Sequence, residues 1–253
     1  MTKKPTKAQV RAQAVAERER VSEATARQRR NRVVLWGGLA VVVVIAVVVA
    51  VVAGGGGNDA KATNFETAAV KVSGTPLPEF DSSQSPDPAI GDTIPTLTGK
   101  SVFDGGSITI GPNDGNGGNG KPQAIAFVAH WCPHCQAEVP RLVSLAKQGV
   151  FDGVDVTAVA TGTNSTYPNY PPSAWLKDVD WPFPVMADTK GGTAAQAFGL
   201  AAYPYFVLVD ANGKVAARGS GEIPPDQIKA DIAALEKGEP IPLASSSQSS
   251  SAG

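Results

Sequence analysis

The sequence predicts an α/β fold: a mixed β-sheet flanked by helices and preceded by one transmembrane helix. Three observations carry that prediction. Between residues 107 and 238, short apolar runs that suit buried strands alternate with stretches of helical period. Near the end of that region Asn212 and Gly213 supply a tight turn between two strands, which makes them antiparallel neighbours and the sheet mixed. Far upstream, the 21 residues Val33–Ala53 carry no charge. At about 1.5 Å per residue they cross a hydrocarbon layer of roughly 30 Å, and lipid leaves a lone span no backbone partner but itself, hence a helix.

Residues 1–32 hold ten Lys/Arg and three Glu, a net +7, so with a whole-chain charge of −1 the remaining 221 residues sum to −8. The basic leader before the span reads as cytoplasmic by the positive-inside bias, which puts everything after Ala53 outside the cytoplasm. The expectation is a single-pass cell-membrane protein with its C-terminal domain extracytoplasmic and residues 33–53 in the bilayer. Cleavage after Val51–Ala53 as a signal peptide is the alternative, opposed by the long leader and the overlong apolar stretch. The acidic remainder invites no nucleic acid. Residues 54–88, which open on Gly54 to Gly57 and go on to Pro76, Pro78, Pro86 and Pro88, read as flexible linker and lead-in. Residues 89–238 hold the folded domain, and the serine-rich tail 239–253 cannot build a core.

Within the domain, Ser107–Ile110 suits a short strand, and the glycine and asparagine of residues 111–120 a surface loop. Ala124–Ala129 is a buried strand leading straight into Trp131, Cys132, Pro133, His134 and Cys135. Val139, Leu142, Val143 and Ala146 then recur at helical spacing. Val154–Ala160 is a second buried strand, Pro171 and Pro172 open a short helix through Trp175 and Leu176, and Phe183–Ala187 is a third strand. Thr193–Phe198 reads as a short helix, Tyr205–Val209 and Val215–Arg218 as the hairpin, and Pro224 and Pro225 begin a closing helix.

Both cysteines of the chain lie in one Cys-x-x-Cys. At a helix start, unpaired N–H groups and the positive dipole end favour a thiolate, so Cys132 is the expected nucleophile. Three residues on, in the same helical turn, Cys135 is close enough for a disulfide and is the expected resolving thiol. Pro133 suits the first helical position, and His134, when cationic, adds charge favouring the thiolate. Haem attachment would need His where Gln136 stands. A zinc site drawing on the cysteines with His130 and His134, and an inert structural disulfide, remain the other readings of the motif.

Trp131-Cys-x-x-Cys after an apolar strand, Pro140 within the following helix, and Ala202-Tyr203-Pro204 ahead of a strand and the turn from Asp210 to Lys214 resemble the thioredoxin superfamily. The segment between the second strand and Pro204 is similar to the insertion of the membrane-anchored, extracytoplasmic TlpA/ResA group of bacterial thiol–disulfide oxidoreductases. The resemblance implies a redox-active Cys132–Cys135 disulfide that exchanges with protein thiols or disulfides outside the cytoplasm, a membrane redox partner, and no cofactor or metal beyond the cysteine pair. It also implies a cis Pro204 facing the disulfide, Tyr203 lining the substrate groove and Trp131 on the active-site rim. Two departures stand out. The buried acid that thioredoxins carry six residues before the first cysteine is replaced by Ala126. The Pro133–His134 pair resembles strongly oxidising disulfide donors, which leans the direction of exchange toward oxidation. Without that acid, proton transfer needs another group or water: Glu138, three residues beyond Cys135, is a candidate by proximity, with a solvated acid on the helix face as the favoured reading, and His130 reads as a surface or rim residue, with a catalytic role as the lesser alternative. The competing class is a tethered binding module or metal carrier with the same fold and no redox turnover.

Overall fold

The computed structural model describes residues 65–113 and 120–241. The expected leader, the span 33–53, the first part of the linker, the loop tip 114–119 and the tail from residue 242 lie outside the described residues. Among the described residues, no helix is long and apolar enough to cross a membrane.

In chain order the elements are β1 (Lys71–Ser73), β2 (Thr96–Ser101), β3 (Ser107–Ile110), β4 (Gln123–Val128), α1 (Pro133–Lys147), β5 (Asp155–Ala160), α2 (Pro172–Asp178), β6 (Val185–Ala187), α3 (Thr193–Ala197), β7 (Tyr205–Val209), β8 (Val215–Ser220) and α4 (Pro225–Lys237). The sheet runs β1-β2-β6-β5-β4-β7-β8, with β3 on the other edge of β2. β4 pairs parallel with β5 and antiparallel with β7, from Ala124 opposite Val156 and Leu208 to Phe127 opposite Val159 and Tyr205. β7 and β8 form the expected antiparallel hairpin.

A strand with neighbours on both edges and layers on both faces has no exposed side, which is why β4 is apolar from Ala124 to Val128 rather than alternating. Ile125 and Phe127 point into one layer with Val159, Met186, Tyr205 and the α3 alanines. Val128 on the opposite face joins Ala158, Ala160, Val185 and the buried residues of α1, α2 and α4. Phe127 packs against Phe198 and Tyr205 with ring centroids 5.4 and 5.8 Å apart. The strand that leads to the cysteines is therefore held from all four sides.

Two strands carry no readable period. In β2, Leu97, Gly99 and Ser101 face inward while Thr98 and Lys100 are exposed, so the alternation is real but two of its three inward residues are not apolar. Gly99 is small because Met186 lies over it: a Cβ there would sit 3.0 Å from the Met186 side chain. β1 is three residues long.

The expected flexible lead-in is corrected from residue 65 onward. β1 adds to the sheet edge, Leu77 and Ala89 are buried, and the Leu77 and Phe80 amides donate to the carbonyls of Ala197 and Gly199. Asp87 meets Arg218 of β8, with both side chains nearly inaccessible. Proline-rich sequence without a period can still pack when isolated side chains anchor it.

Candidate active site

β4 ends at Val128, and four residues later Cys132 caps α1 with extended backbone (φ −75°, ψ 121°), Pro133 taking the first helical position. The Cys132 carbonyl accepts from the Gln136 amide at 3.0 Å, and no acidic residue stands in the first turn. Cys132 thus sits at the positive end of the helix dipole, with no side-chain cap hydrogen bond and no carboxylate in the first turn. Both cysteines are thiols here. Cys132 retains 6% of its surface and Cys135 none, so only the first sulfur is open to attack a partner.

The Tyr203–Pro204 peptide is cis, and the Tyr203 carbonyl lies 4.0 Å from Cys132 Sγ. Trp131 borders the sulfurs: its Nε1 donates to the Gly162 carbonyl at 2.8 Å, and its ring meets Tyr203 and Tyr167 edge-on. Gly162 has φ +61°, and a Cβ there would approach the Tyr203 hydroxyl to 2.9 Å. Only glycine serves both demands. Beyond Trp131 opens a cleft of about 400 Å³ whose walls include Glu66, Asn164, Tyr167, Tyr170 and Lys190.

Cys135 is set apart chemically as well as sterically. Burial pushes its thiol far up from the ordinary range, the Ala129 amide at 3.5 Å pulls the other way, and the charges of Cys132 and Glu138 add to the rise. Such a thiol needs help to lose its proton.

The sequence offered Glu138 as a candidate for that help by proximity alone and favoured a solvated acid; the structure corrects the solvated reading. Glu138, read as solvated, is fully buried. Its Oε1 accepts from the Ile223 amide at 3.3 Å and its Oε2 from Arg141 Nη1 at 3.2 Å. Burial drives its carboxyl above the usual range, with the Ile223 and Arg141 hydrogen bonds opposing. The acid absent at Ala126 on the strand is thus matched by one on the helix, a turn beyond Cys135. The available signal was spacing: 135 and 138 share a helix face whose other members, 139, 142 and 143, are apolar.

His130 is likewise corrected from surface to core, at 1% exposure. The Asn164 amide donates to its Nε2 at 3.2 Å, so Nδ1 carries the proton and donates to the Pro168 carbonyl at 2.7 Å. Both ring nitrogens are occupied in holding the β5–α2 loop. His134 is exposed, with Nδ1 2.8 Å from Glu222 Oε1. The two histidines thus bond elsewhere rather than converging on the cysteine pair.

The model of the family described as Redoxin matches residues 90–235. Among curated proteins, the chain is 31% identical over 111 residues to a thiol-disulfide oxidoreductase ResA of Bacillus thuringiensis, covering 44% of this chain and 61% of that one. It is 28% identical over 134 residues to a thiol:disulfide interchange protein DsbE of Pseudomonas aeruginosa, covering 53% and 68%. Among solved structures, an uncharacterized conserved protein from Geobacillus kaustophilus superposes with a TM-score of 0.50 at 23% identity, over 69% of this chain and 89% of that one. The fold read from the strand pattern and the match over more than half of the chain agree: this chain belongs to the Redoxin family.

Proposed function

We propose that the protein is a membrane-tethered thiol–disulfide oxidoreductase that exchanges disulfides with protein substrates outside the cytoplasm. The observation that carries this reading is the asymmetry of the two sulfurs. Cys132 is reachable, at a helix start beside the Tyr203 carbonyl, while Cys135 is buried with a buried carboxylate one turn on. The names of the ResA and DsbE relatives support the same chemistry.

In the reducing direction, the Cys132 thiolate attacks one sulfur of a substrate disulfide, forming a mixed disulfide and expelling the other substrate sulfur as thiolate. Glu138 takes the proton from Cys135. The Cys135 thiolate attacks Cys132 Sγ, closing the Cys132–Cys135 disulfide and releasing the second substrate sulfur with its electron pair. Oxidation of a substrate dithiol is the reverse sequence. Tyr203 and Pro204 line the groove in which an extended substrate lies, with Trp131 as its rim.

The lean is toward oxidation. The Pro133–His134 pair resembles that of strongly oxidising disulfide donors, and no acid stands in the first turn of α1. Equilibration of the full chain with dithiol buffers is expected to give a potential more oxidising than about −270 mV, the value of thioredoxin. A potential at or below that value would make the protein a reductant.

The tether rests on the length and charge flanks of residues 33–53. An impermeant thiol reagent applied to reduced intact cells is expected to label Cys132, since it alone of the pair is open. Labelling only after the membrane is broken would reverse the orientation.

A further inference from the structure

We propose that Glu222, on the turn between β8 and α4, is a positioning residue for proton transfer at Cys135: it holds Arg141 partly away from Glu138 and so leaves that buried carboxylate free to accept the proton. The proposal rests on the role given to Glu138 above.

The geometry turns on one nitrogen. Arg141 Nη1 serves both carboxylates, at 2.5 Å from Glu222 Oε2 and 3.2 Å from Glu138 Oε2. The short bond goes to the outer acid. A guanidinium given wholly to Glu138 would form two parallel charge-assisted bonds and hold that carboxylate ionised, as a poor base. Instead Glu138 receives one long bond from Arg141 and one from the Ile223 amide at 3.3 Å. Burial is the largest influence raising the Glu138 carboxyl, and the charge of Glu222 adds to it.

Glu222 is well placed to keep its own charge. His134 and then Arg141 hydrogen-bond it and hold its carboxyl below the usual range. The groups facing Glu138 are Cys135 and Arg141 from α1 and Glu222 with the Ile223 amide from the turn, while Glu222 faces His134 and Arg141. The turn is itself anchored, since the Gly221 amide donates to the Pro204 carbonyl at 2.8 Å. One short turn therefore touches the Pro204 carbonyl ahead of β7, the first turn of α1 through His134, and the buried acid directly through the Ile223 amide and indirectly through Arg141.

The test is rapid mixing of the reduced full chain, in detergent, with 5,5′-dithiobis(2-nitrobenzoate) over a range of pH. Attack by Cys132 releases one coloured thiolate; resolution by Cys135 releases the second. With Glu222→Gln, Arg141 turns to Glu138, so the acid limb of the second phase is expected to move to lower pH and its plateau rate to fall about two- to fivefold, the scale of one exposed ion pair. Glu222→Asp is expected to restore both. Glu138→Gln alone is expected to slow the second phase and remove its limb, and adding Glu222→Gln to it should change nothing further. A second phase unmoved by Glu222→Gln while Glu138→Gln slows it, or an effect of Glu222→Gln confined to the first phase, would overturn the positioning role and leave that of Glu138 standing. A wild-type second phase in Glu138→Gln would overturn both.

Discussion

Cys135→Ser is expected to accumulate covalent protein partners on Cys132, and Cys132→Ser to accumulate none, with turnover reduced to background in both. The difference follows from exposure. Cys132 is the sulfur a partner can reach, and Cys135 has no surface at all. With Ser at 135 the mixed disulfide forms but lacks the thiolate that would resolve it, so it persists until an external thiol intervenes. With Ser at 132 the remaining thiol is buried and held protonated by its surroundings. Acid quenching of membranes followed by non-reducing electrophoresis reads the result directly. Equal trapping by the two variants, or by neither, would overturn the assignment of attack to Cys132 and resolution to Cys135.

The largest effect on stability is expected at the pair that ties the lead-in to the sheet. Arg218 gives Nε and Nη2 to the two oxygens of Asp87, at 2.7 and 2.5 Å, and Nη1 to the Pro78 carbonyl at 2.7 Å. Asp87→Asn leaves a buried guanidinium without its counter-charge, a loss of about 3–5 kcal/mol. In a domain of this size that lowers Tm by on the order of 10 °C. Combining it with Arg218→Met is expected to recover part of the loss, because the uncompensated charge goes too. The pH dependence has a definite sign. Burial pushes the Asp87 carboxyl up, but the Arg218 hydrogen bonds and the Ala89 amide outweigh it and hold the group below the usual range. A folded value below the unfolded one means the stabilisation is present above the unfolded value of about 3.9 and is lost as pH falls through the folded one. Urea midpoints measured down the acid range should therefore converge for wild type and variant. A loss below about 1 kcal/mol at neutral pH would place the pair among ordinary surface ion pairs.

What could be read from the sequence was what local chemistry dictates. Residues 124–128 of β4, 158–160 of β5 and all of β7 are apolar runs because they are enclosed. The helix starts at Pro133, Pro172 and Pro225 are marked by proline's fixed φ, and the Cys132 to Cys135 spacing fixes which sulfur caps and which lies beneath. What could not be read depends on distant chain. β2 is inward-facing through a glycine and a serine, which no hydropathy pattern marks. Glu138 and His130 are polar residues whose burial is made tolerable by partners 85 and 34 residues away, Ile223 and Asn164. A single sequence does not announce such pairings, and polar residues are by default assigned to solvent. The two sulfurs were therefore legible, while the burial of Glu138, named only by proximity to Cys135, and of His130 was not.

The strap from residue 65 to 88 also sets where the domain can be cut. The Ala68 amide donates to the Asp188 carbonyl, and Glu66 accepts from the Ser173 amide at 3.0 Å and from its hydroxyl, closing the first turn of α2. Leu77 fills the layer beneath Phe198 and the α3 alanines. A chain trimmed to begin at residue 90, where the match to the family begins, would keep both cysteines and every strand of the sheet except β1. It would nonetheless lose a cap, a core side chain and a counter-ion at once. The smallest piece able to melt as one cooperative body is therefore longer at its front than the region shared with relatives, and limited proteolysis of the native protein should leave residues 65–89 attached to the domain.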